Sequence, residues 1–600
     1  MLAWSPTAGL CEGATALNPS VVLGHRRLAI IDLTEHGAQP MLSPDRGLAV
    51  TYNGEIYNYV ELREELRRRH GRRFFTDSDT EVLLAAWETW GEAALDRLDG
   101  MYAFVMLDVR RGRLFAARDP FGMKPLHYAV DGDCLRLSSE IRPLILGASP
   151  KAEVSRLFDY LRWGAVDEGA ETLFQGVRQL EPGQLMSMDL EGGDVNFRRF
   201  WRAPERRQAC RTPRQWRQGF RDLFVDTIER HLRSDVPVVA TLSGGLDSSA
   251  ICGALRCLRP NQPIHVFSYV ASGAQSEERW IDLVGADKHL DIEKIHIRED
   301  QVLDDLPALV RAQEQPFGSG SIYAQYRIFE AIGARGYKVM LDGQGADEIL
   351  AGYKSFVAYR VWQLLGEGRL KEATTLFGAH ARRDPGSLAM MTQRLARLAL
   401  PEGPALAARR LAGRSLQVPF VDRDWLAARG LDPRDAEARQ LQLGRSFDQV
   451  LRHSLESGVL PSLLRYADRN AMAFSVENRV PFLSRPLVEM IFDLPPEALI
   501  SPDGRTKAVL RDALDGILPP AIQDRHDKIG FRATEEAWMM QKADWTRAQL
   551  AECADLPFVD RRALERCARR FFSGKIGDGQ KLFRLIVFNQ WIRAFDVTIA

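Results

Sequence analysis

The feature that most constrains the fold is an abrupt change of residue type within residues 238–255, VVATLSGGLDSSAICGAL. A short apolar run ends in a cluster of Ser, Gly and Asp, and apolar residues then return at helical spacing. This order predicts a buried parallel strand, a tight turn and a crossover helix. Because free N–H groups and the positive end of the helix dipole gather at such a turn, the sequence predicts a phosphate site there.

The side chains of this turn fit a nucleotide phosphate site better than a simple capped turn. Gly244 and Gly245 allow the backbone to come close to a phosphate. Asp247 would repel a phosphate directly, so it is predicted as a ligand of Mg²⁺ that bridges the phosphates. A glycine turn with a Ser/Asp helix cap is the structural alternative, and the complete SGGLDSS string disfavours it. The other residues of the predicted loop are Ser243, Leu246, Ser248 and Ser249.

A second glycine-rich turn follows another apolar run, in VMLDGQGADEILAGY at residues 339–353. Between the two turns, apolar runs alternate with helical patterns, which predicts a parallel doubly wound sheet. The carboxyl ends of such strands meet at one crevice, so Gly343 and Asp347 are expected near Asp247. Two carboxylates suit Mg²⁺. A turn before a capped helix is again the alternative.

The composition gives no sign of a nucleic-acid partner, a membrane partner, a zinc site or a disulfide framework. Lys plus Arg and Asp plus Glu number 80 each, so net charge indicates neither a nucleic-acid nor a membrane partner. The seven cysteines are scattered without a CxxC pair, which indicates neither a zinc site nor a disulfide framework and fits a reducing cytoplasm. The sequence contains no apolar run of about 18 residues, and its start does not resemble a signal peptide.

The pattern of residue types along the chain changes near residues 200–215. Residues 1–200 contain short alternating runs and two helical segments that end in glycine, which predicts an α+β sandwich of two sheets with outer helices. The basic, proline-containing stretch at 200–215 is typical of a linker. Residues 212–600 predict an α/β doubly wound parallel sheet followed by a helical C-terminal part.

SGGLDSS resembles the pyrophosphate-binding loop of the N-type ATP pyrophosphatases, and the chain from residue 20 onward is similar to glutamine-dependent asparagine synthetases. Further matches are YADRNAMAFSVENRVPFLSRPLVE at 466–489 and R-x-x-K-x-GF within 507–531. The first of these could equally be a structural network of ion pairs. The resemblance implies ATP and Mg²⁺ as cofactors, with 212–600 as the synthetase domain.

The same resemblance assigns residue roles in the second domain. Lys528 falls on the position of the catalytic lysine, where a fixed ammonium neutralises charge on the phosphates and the adenylated carboxylate. Phe267 and Ser268 lie where adenine would bind. Gln344 stands where the family usually has Glu, and Ser484 stands where it has Asp. A glutamine cannot take a proton, which leaves the general base and the acceptor open.

Residues 1–200 resemble a class II glutamine amidotransferase domain of Ntn-hydrolase-like fold, through GHRRLAIID, YNGEIYN and SDTE. The resemblance implies that an arginine holds the glutamine carboxylate, that an Asn side chain and a Gly N–H form the oxyanion hole with Glu beside them, and that an Asp binds the α-amino group. The corresponding residues are Arg27, Asn53, Gly54, Glu55 and Asp79.

The nucleophile that the resemblance implies is not in this sequence. The family begins Met-Cys-Gly, and its cysteine supplies both the thiolate and the α-amino base, whereas this sequence begins Met-Leu-Ala. Cys11 is internal, so its nitrogen is an amide and cannot act as that base. We therefore expect a domain that is incomplete at its N-terminus and lacks glutaminase activity. Either the start of the chain is assigned too late, or the enzyme uses free ammonia.

The function implied is an ATP-dependent amide-forming ligase that converts aspartate to an acyl-adenylate and then to the amide. The substrates would be small molecules, namely aspartate or another carboxylate with glutamine or ammonia, and a homodimer is compatible with the resemblance. A related synthetase that amidates or cyclises another carboxylate is the first alternative. A nucleotide-binding pseudoenzyme is disfavoured by Asp247, Asp347 and Lys528, and a tRNA-modifying enzyme by the absence of basic surplus.

Overall fold

The computed structural model describes most of the chain. The described residues are 1–5, 9–12, 19–207, 212–271, 276–399, 418–432, 446–526, 535–574 and 578–599. Lys528, the predicted catalytic lysine, lies outside them. None of the helices in the described ranges is both long and apolar enough to cross a membrane.

The N-terminal part is built on a six-stranded antiparallel sheet of order β12-β11-β7-β6-β5-β4. Two three-stranded sheets, of order β2-β1-β3 and β10-β8-β9, accompany it. Its strands are β1 Leu2–Ser5, β2 Gly9–Glu12, β3 Val21–Leu23, β4 Met41–Leu42, β5 Leu48–Ile56, β6 Gly100–Asp108, β7 Arg113–Arg118, β8 His127–Asp131, β9 Cys134–Ser138, β10 Val177–Gln179, β11 Gln184–Asp189 and β12 Val195–Arg199. Its helices are α1 Tyr59–His70, α2 Asp79–Trp90, α3 Arg142–Ile145 and α4 Val154–Trp163.

Strand β6 shows why this part forms layers. Every residue of β6 is buried, because the strand has apolar neighbours on both faces of the sheet. Phe104 and Met106 pack with α1 and α2 on one face, whereas Val105 and Leu107 pack with residues of the small sheets on the other. The predicted sandwich is confirmed, and its second layer consists of two small sheets.

The C-terminal part is built on a five-stranded parallel sheet of order β15-β14-β13-β16-β17. Its strands are β13 Val238–Thr241, β14 His265–Val270, β15 Asp291–His296, β16 Val339–Leu341 and β17 Glu477–Arg479. The helices around it are α5 Pro213–His231, α6 Leu246–Leu258, α7 Glu278–Lys288, α8 Val302–Gln313, α9 Ser321–Ala334 and α10 Ala346–Ile349.

Helices cover both faces of this sheet, which confirms the doubly wound prediction. Helices α5, α6 and α7 pack on one face with Ala240, and α9 packs on the other with Val239 and Met340. The strand order reverses between β13 and β16, and ligands of open α/β sheets bind at such a point.

The rest of the second part is helical, as predicted. Its remaining described helices are Lys354–Gly366, Leu370–Arg383, Leu388–Ala399, Arg423–Ala427, Phe447–Glu456, Val459–Met472, Arg485–Asp493, Pro496–Leu499, Ala508–Ala513, Pro520–Gln523, Glu535–Gln541, Ala543–Cys553, Arg561–Phe572 and Gly579–Phe595.

The two parts are packed together, so the predicted linker is not a loose tether. Trp201 and Ala203 are buried in the same core as α5 and α6, and Arg206 pairs with Asp448 at 2.6 Å. Helix α4 shares a core with the C-terminal helix Gly579–Phe595. Side chains at the contact between the parts therefore belong to the same apolar cores as side chains of the second part.

We predict that Phe329→Ala destabilises the protein by about 3–5 kcal/mol, because truncating a buried aromatic side chain leaves a cavity. Phe329 is fully buried in the core between α9 and the sheet. Phe75, which is 69% exposed, provides the matched control: Phe75→Ala should change stability by less than about 0.5 kcal/mol. Denaturant unfolding checks both variants, and equal midpoints would contradict the assignment of this core.

Candidate active site

The first glycine-rich turn forms the start of a helix directly after a strand, as predicted. Strand β13 ends at Thr241, and α6 begins at Leu246 with Gly245 in the N-cap position. Gly245 has no side chain to cap the helix, and no side-chain hydrogen bond replaces one. The first N–H groups of α6 are thus available for an anion.

Two serines give this turn its shape. The Ser243 N–H donates to the Ser248 hydroxyl at 3.1 Å, and the two hydroxyls are themselves 3.1 Å apart. The Gly245 N–H donates to the Ser243 hydroxyl at 3.3 Å. The Ser249 hydroxyl is buried without a hydrogen-bond partner in the described part of the chain. These hydrogen bonds between loop residues stabilise the shape of the turn.

Gly244 is needed for a reason that the sequence did not reveal. Its φ is +70°, and a Cβ there would lie 2.6 Å from Trp280 Cβ and 2.9 Å from the Ile281 nitrogen. The close approach that requires glycine is made by the start of α7. Near Gly245, an added Cβ would meet only the Ser243 hydroxyl, at 3.1 Å.

The two predicted carboxylates do meet across the crevice, and a lysine ammonium lies between them. Lys507 Nζ is 2.6 Å from both carboxylate oxygens of Asp247 and 2.7 Å from Asp347 Oδ1. Lys507 is 5% exposed and has a φ of +54° at the start of the helix Ala508–Ala513. Sequence reasoning missed Lys507, because nothing in the sequence shows that this helix start reaches the crevice.

The donor set fits a magnesium ion that is bound together with a nucleotide. Among the described residues, no three or more His, Cys, Asp or Glu side chains are grouped to hold a metal. Mg²⁺ usually takes only one or two carboxylates and completes its shell with phosphates and water. Asp247 and Asp347 supply such a pair.

The second glycine-rich turn touches the first. A Cβ on Gly343 would lie 3.2 Å from both Asp247 Cβ and the Ser248 nitrogen. Just before it, the Asp342 carboxylate accepts hydrogen bonds from the N–H groups of Gly343 and Gln344 and from the side chains of Gln325 and Asn478, and burial raises its pKa to about 6. Gln344, the predicted catalytic position, is half-buried beside it.

The residues predicted to meet adenine lie on β14. The Phe267 carbonyl accepts a hydrogen bond from the Leu242 N–H at 3.0 Å, and its ring is buried in the core. The Ser268 hydroxyl is buried and has no hydrogen-bond partner within the described ranges. Ser268 therefore offers an unused polar group close to the first turn.

The segment just before Lys528 contacts the first glycine-rich turn through Arg525. Arg525 donates to the Gly244 carbonyl at 2.8 Å and to Glu277 Oε1 at 2.5 Å. Arg525 lies three residues before Lys528, so the contact holds this segment beside the phosphate loop.

The segment 466–489, which matches the family, forms ion pairs that link the two parts of the chain. Asp468 contacts Lys124 Nζ at 3.2 Å and Arg469 at 2.9 Å, and all three side chains are buried. Although burial opposes the shift, these two cations hold the pKa of Asp468 below its ordinary value. The alternative of a structural ion-pair network therefore describes these contacts.

Ser484 also contacts the first part. Its hydroxyl lies 3.3 and 3.2 Å from the two carboxylate oxygens of the buried Asp99, and the Arg485 N–H donates to the same carboxylate at 3.1 Å. A second carboxylate at position 484 would repel Asp99, which gives a physical reason for serine here.

The predicted glutamine-binding residues lie around β5 and the start of α2. Asn53 Nδ2 donates to the Ser139 hydroxyl at 3.4 Å. Asp79 accepts from the Tyr52 hydroxyl at 2.8 Å and the Ile56 N–H at 3.1 Å. Burial raises the pKa of Asp79 even though these hydrogen bonds oppose the shift.

Arg27 and Glu55 are held by different parts of the protein. The Arg27 guanidinium donates to the carbonyls of Ile31, Asp32 and Thr34 at 2.6 to 3.0 Å. Glu55 is buried and lies 3.3 Å from Arg479, which comes from β17. Burial, followed by the charge of Asp79, raises the pKa of Glu55, and Arg479 opposes this shift.

Comparison with known proteins adds the family. The sequence model of asparagine synthase matches residues 219–593, and that of the glutamine amidotransferase domain matches residues 11–201. Asparagine synthetase [glutamine-hydrolyzing] 1 of Bacillus subtilis (strain 168) is 29% identical over 95% of this chain and 89% of that protein. Asparagine synthetase [glutamine-hydrolyzing] 3 of the same strain is 31% identical over 96% and 92%.

We predict that Gly54→Ala strongly destabilises the first part. Gly54 has a φ of +149°, and an added Cβ would overlap the Met101 carbonyl on β6. Gly112→Ala is the control, because Gly112 has a φ of +60° but open space around it, so only the backbone cost of about 1–2 kcal/mol applies. Thermal unfolding compares them, and equal losses would contradict the steric account.

Proposed function

The chain belongs to the asparagine synthase family, and we propose that it activates the side-chain carboxylate of aspartate with ATP, releases pyrophosphate, and amidates the acyl-adenylate with ammonia. The family makes it an asparagine synthase-like ligase with a glutamine amidotransferase domain. The observation that carries the proposal is the meeting of Asp247, Asp347 and Lys507 where the two glycine-rich turns touch.

The phosphates would bind at the start of α6, and magnesium beside them. The uncapped N–H groups of α6 and the hydroxyls of Ser243 and Ser248 would donate hydrogen bonds to the phosphate oxygens. Asp247 and Asp347 would hold Mg²⁺, which supplies electrostatic stabilisation of the phosphates when bound. Gly343 keeps the second turn close enough for both carboxylates to serve one site.

Lys507 is proposed to contact the same phosphates. Its ammonium is already held at the crevice by both carboxylates. A magnesium ion would compete for these oxygens, and the ammonium would then be free to neutralise charge that develops on the phosphates. Lys528 remains the proposed second cation of the site.

The first part is proposed to retain a glutamine-binding site. Asp79 is a buried acidic group beside the Asn53–Gly54 segment of β5 and would receive the α-amino group of glutamine, with the buried Glu55 next to it. Arg27 lies in the loop that precedes them, and Asn53 and the Gly54 N–H would form the oxyanion hole.

The decisive test measures aspartate-dependent pyrophosphate release with ATP, Mg²⁺ and ammonium chloride, together with direct detection of asparagine. We expect both products in equal amounts. Pyrophosphate release with another carboxylate but not with aspartate would favour a related ligase that acts on that carboxylate. Gln344, which stands where the family usually has Glu, is the observation that favours this alternative. ATP binding without turnover on any carboxylate would overturn the proposal.

We predict that Lys507→Gln lowers kcat for pyrophosphate release by about 10²–10³-fold, as loss of one fixed electrostatic donor does in other active sites. Lys542→Gln is the matched control, because the Lys542–Asp304 pair lies at the surface and outside the crevice. Lys507→Arg retains the charge and distinguishes loss of the cation from loss of folding. A Lys507→Gln enzyme within threefold of wild type would contradict the role.

A further inference from the structure

Amide formation requires a group that takes a proton from the attacking nitrogen, and Gln344 cannot do so. An amide side chain donates and accepts hydrogen bonds but has no accessible proton-accepting state near neutral pH. A general base needs a free lone pair of suitable basicity within reach of the nitrogen, as a carboxylate or a neutral imidazole has. Asp342, two residues earlier on the same turn, is such a group.

Asp342 is placed by the sheet. It directly follows β16, and its N–H donates to the Arg479 carbonyl at 2.9 Å, which continues the pairing of β16 with β17. The next residue, Gly343, is packed against Asp247 and Ser248 of the phosphate loop. Asp342 is half-buried and surrounded by protein, which leaves part of the residue open beside the two turns.

Asn478 supplies a second oxygen beside this carboxylate. Its side chain donates a hydrogen bond to Asp342, while its Oδ1 is buried with no hydrogen-bond partner among the described residues. A buried acceptor without a donor is costly. Ammonia carries the N–H group that Asn478 Oδ1 lacks, so a small nitrogen donor beside Asp342 would satisfy this oxygen.

The groups around Asp342 are neutral or paired with one another, so its carboxylate is ionised at neutral pH and can still take a proton. Its hydrogen-bond partners are the N–H groups of Gly343 and Gln344 and the neutral side chains of Gln325 on α9 and Asn478 on β17. On β17, Glu477 and Arg479 pair with each other at 2.8 Å. On the α6 side, the charges beyond Gly343 are those of the Asp247–Asp347–Lys507 cluster, which is paired internally.

We propose that Asp342 is the general base that takes the proton from the attacking ammonia, with Asn478 Oδ1 as a second acceptor that orients the nitrogen. The inference rests on the proposed function. The nitrogen lone pair forms the C–N bond as the carbonyl π pair moves to oxygen. One N–H proton passes to the Asp342 carboxylate, and the carbonyl re-forms as the C–O bond to phosphate breaks. AMP leaves with that electron pair, and Asp342 later releases its proton to water.

The test separates the two half-reactions in wild type and in Asp342→Asn. We expect carboxylate-dependent ATP–pyrophosphate exchange to stay within about threefold, because activation does not use the base. Amide formation should fall by about 10²–10⁴-fold, the usual contribution of a general base. Asp544→Asn, at a fully exposed carboxylate outside the crevice, is the control and should leave both half-reactions unchanged.

The pH profile provides a readout that a structural role would not move. The pKa of Asp342 is raised to about 6 by burial, so the base is ionised above that value and protonated below it. At constant free ammonia, wild-type amide formation should rise through about pH 6 to a plateau. This rise of the rate with pH should be lost in Asp342→Asn. The variant Asn478→Ala should raise the KM for ammonia more than it lowers kcat.

The outcomes distinguish the base from the proposed function. If the rates of ATP–pyrophosphate exchange and of amide formation fall together in Asp342→Asn, the residue serves nucleotide binding or the shape of the turn. That result would overturn the inference. Amide formation with an unchanged rise of the rate with pH would overturn it as well, while the ligase assignment stands. Absence of carboxylate-dependent exchange in wild type would overturn the proposed function and the inference together.

Discussion

A single buried ammonium connects the two turns on which the synthetase crevice depends. Lys507 contacts Asp247 at the start of α6 and Asp347 at the start of α10. Without it, the half-buried Asp247 and the buried Asp347 would face each other, and the repulsion between their carboxylates would push the turns apart. Gly352 leaves the necessary space, since a Cβ there would overlap both the Asp347 carboxylate and the Lys507 stem. The cluster carries one net negative charge, which favours a further cation at the same place.

Buried charges also hold the first part of the chain on the second. Arg479 is fully buried, and its guanidinium contacts Glu477 and Glu55 while its carbonyl accepts from Asp342. One residue thus contacts the predicted glutamine-binding segment of β5 with its side chain and the synthetase turn with its backbone. Breaking such a pair would leave an uncompensated buried charge. Buried ion pairs, together with apolar packing, therefore join the two candidate sites.

The sequence was most informative where one short segment contains a whole structural unit. The strand, turn and helix of residues 238–258 follow from apolar spacing, glycines and hydroxyl residues that are all local. The approach of Asp347 to Asp247 could also be predicted, because parallel strands present their carboxyl ends to one edge. In the first part, the alternating pattern of β5 to β7 predicted strands, but it could not show that the second layer is divided into two small sheets.

Residues that act by proximity could not be found in this way. Lys507 and Asn478 lie within segments that match the family, but they are far along the chain from the turns that they contact, and the sequence does not show that contact. Asp342 stands beside a recognised motif, yet its raised pKa depends on burial by α9 and β17. Gly244 was correctly singled out, but the atoms that require glycine there belong to α7.

The sequence by itself determined the fold class, the family and the two turns that build the crevice, because these depend on local residue types and on the order of strands and helices. Tertiary structure decided which cation lies between the carboxylates, which acid has a pKa near 6, and why Ser484 faces Asp99. The physical reason is that Coulomb energies and desolvation depend on distances and burial between segments remote in sequence, and the packing of the folded chain alone sets those quantities.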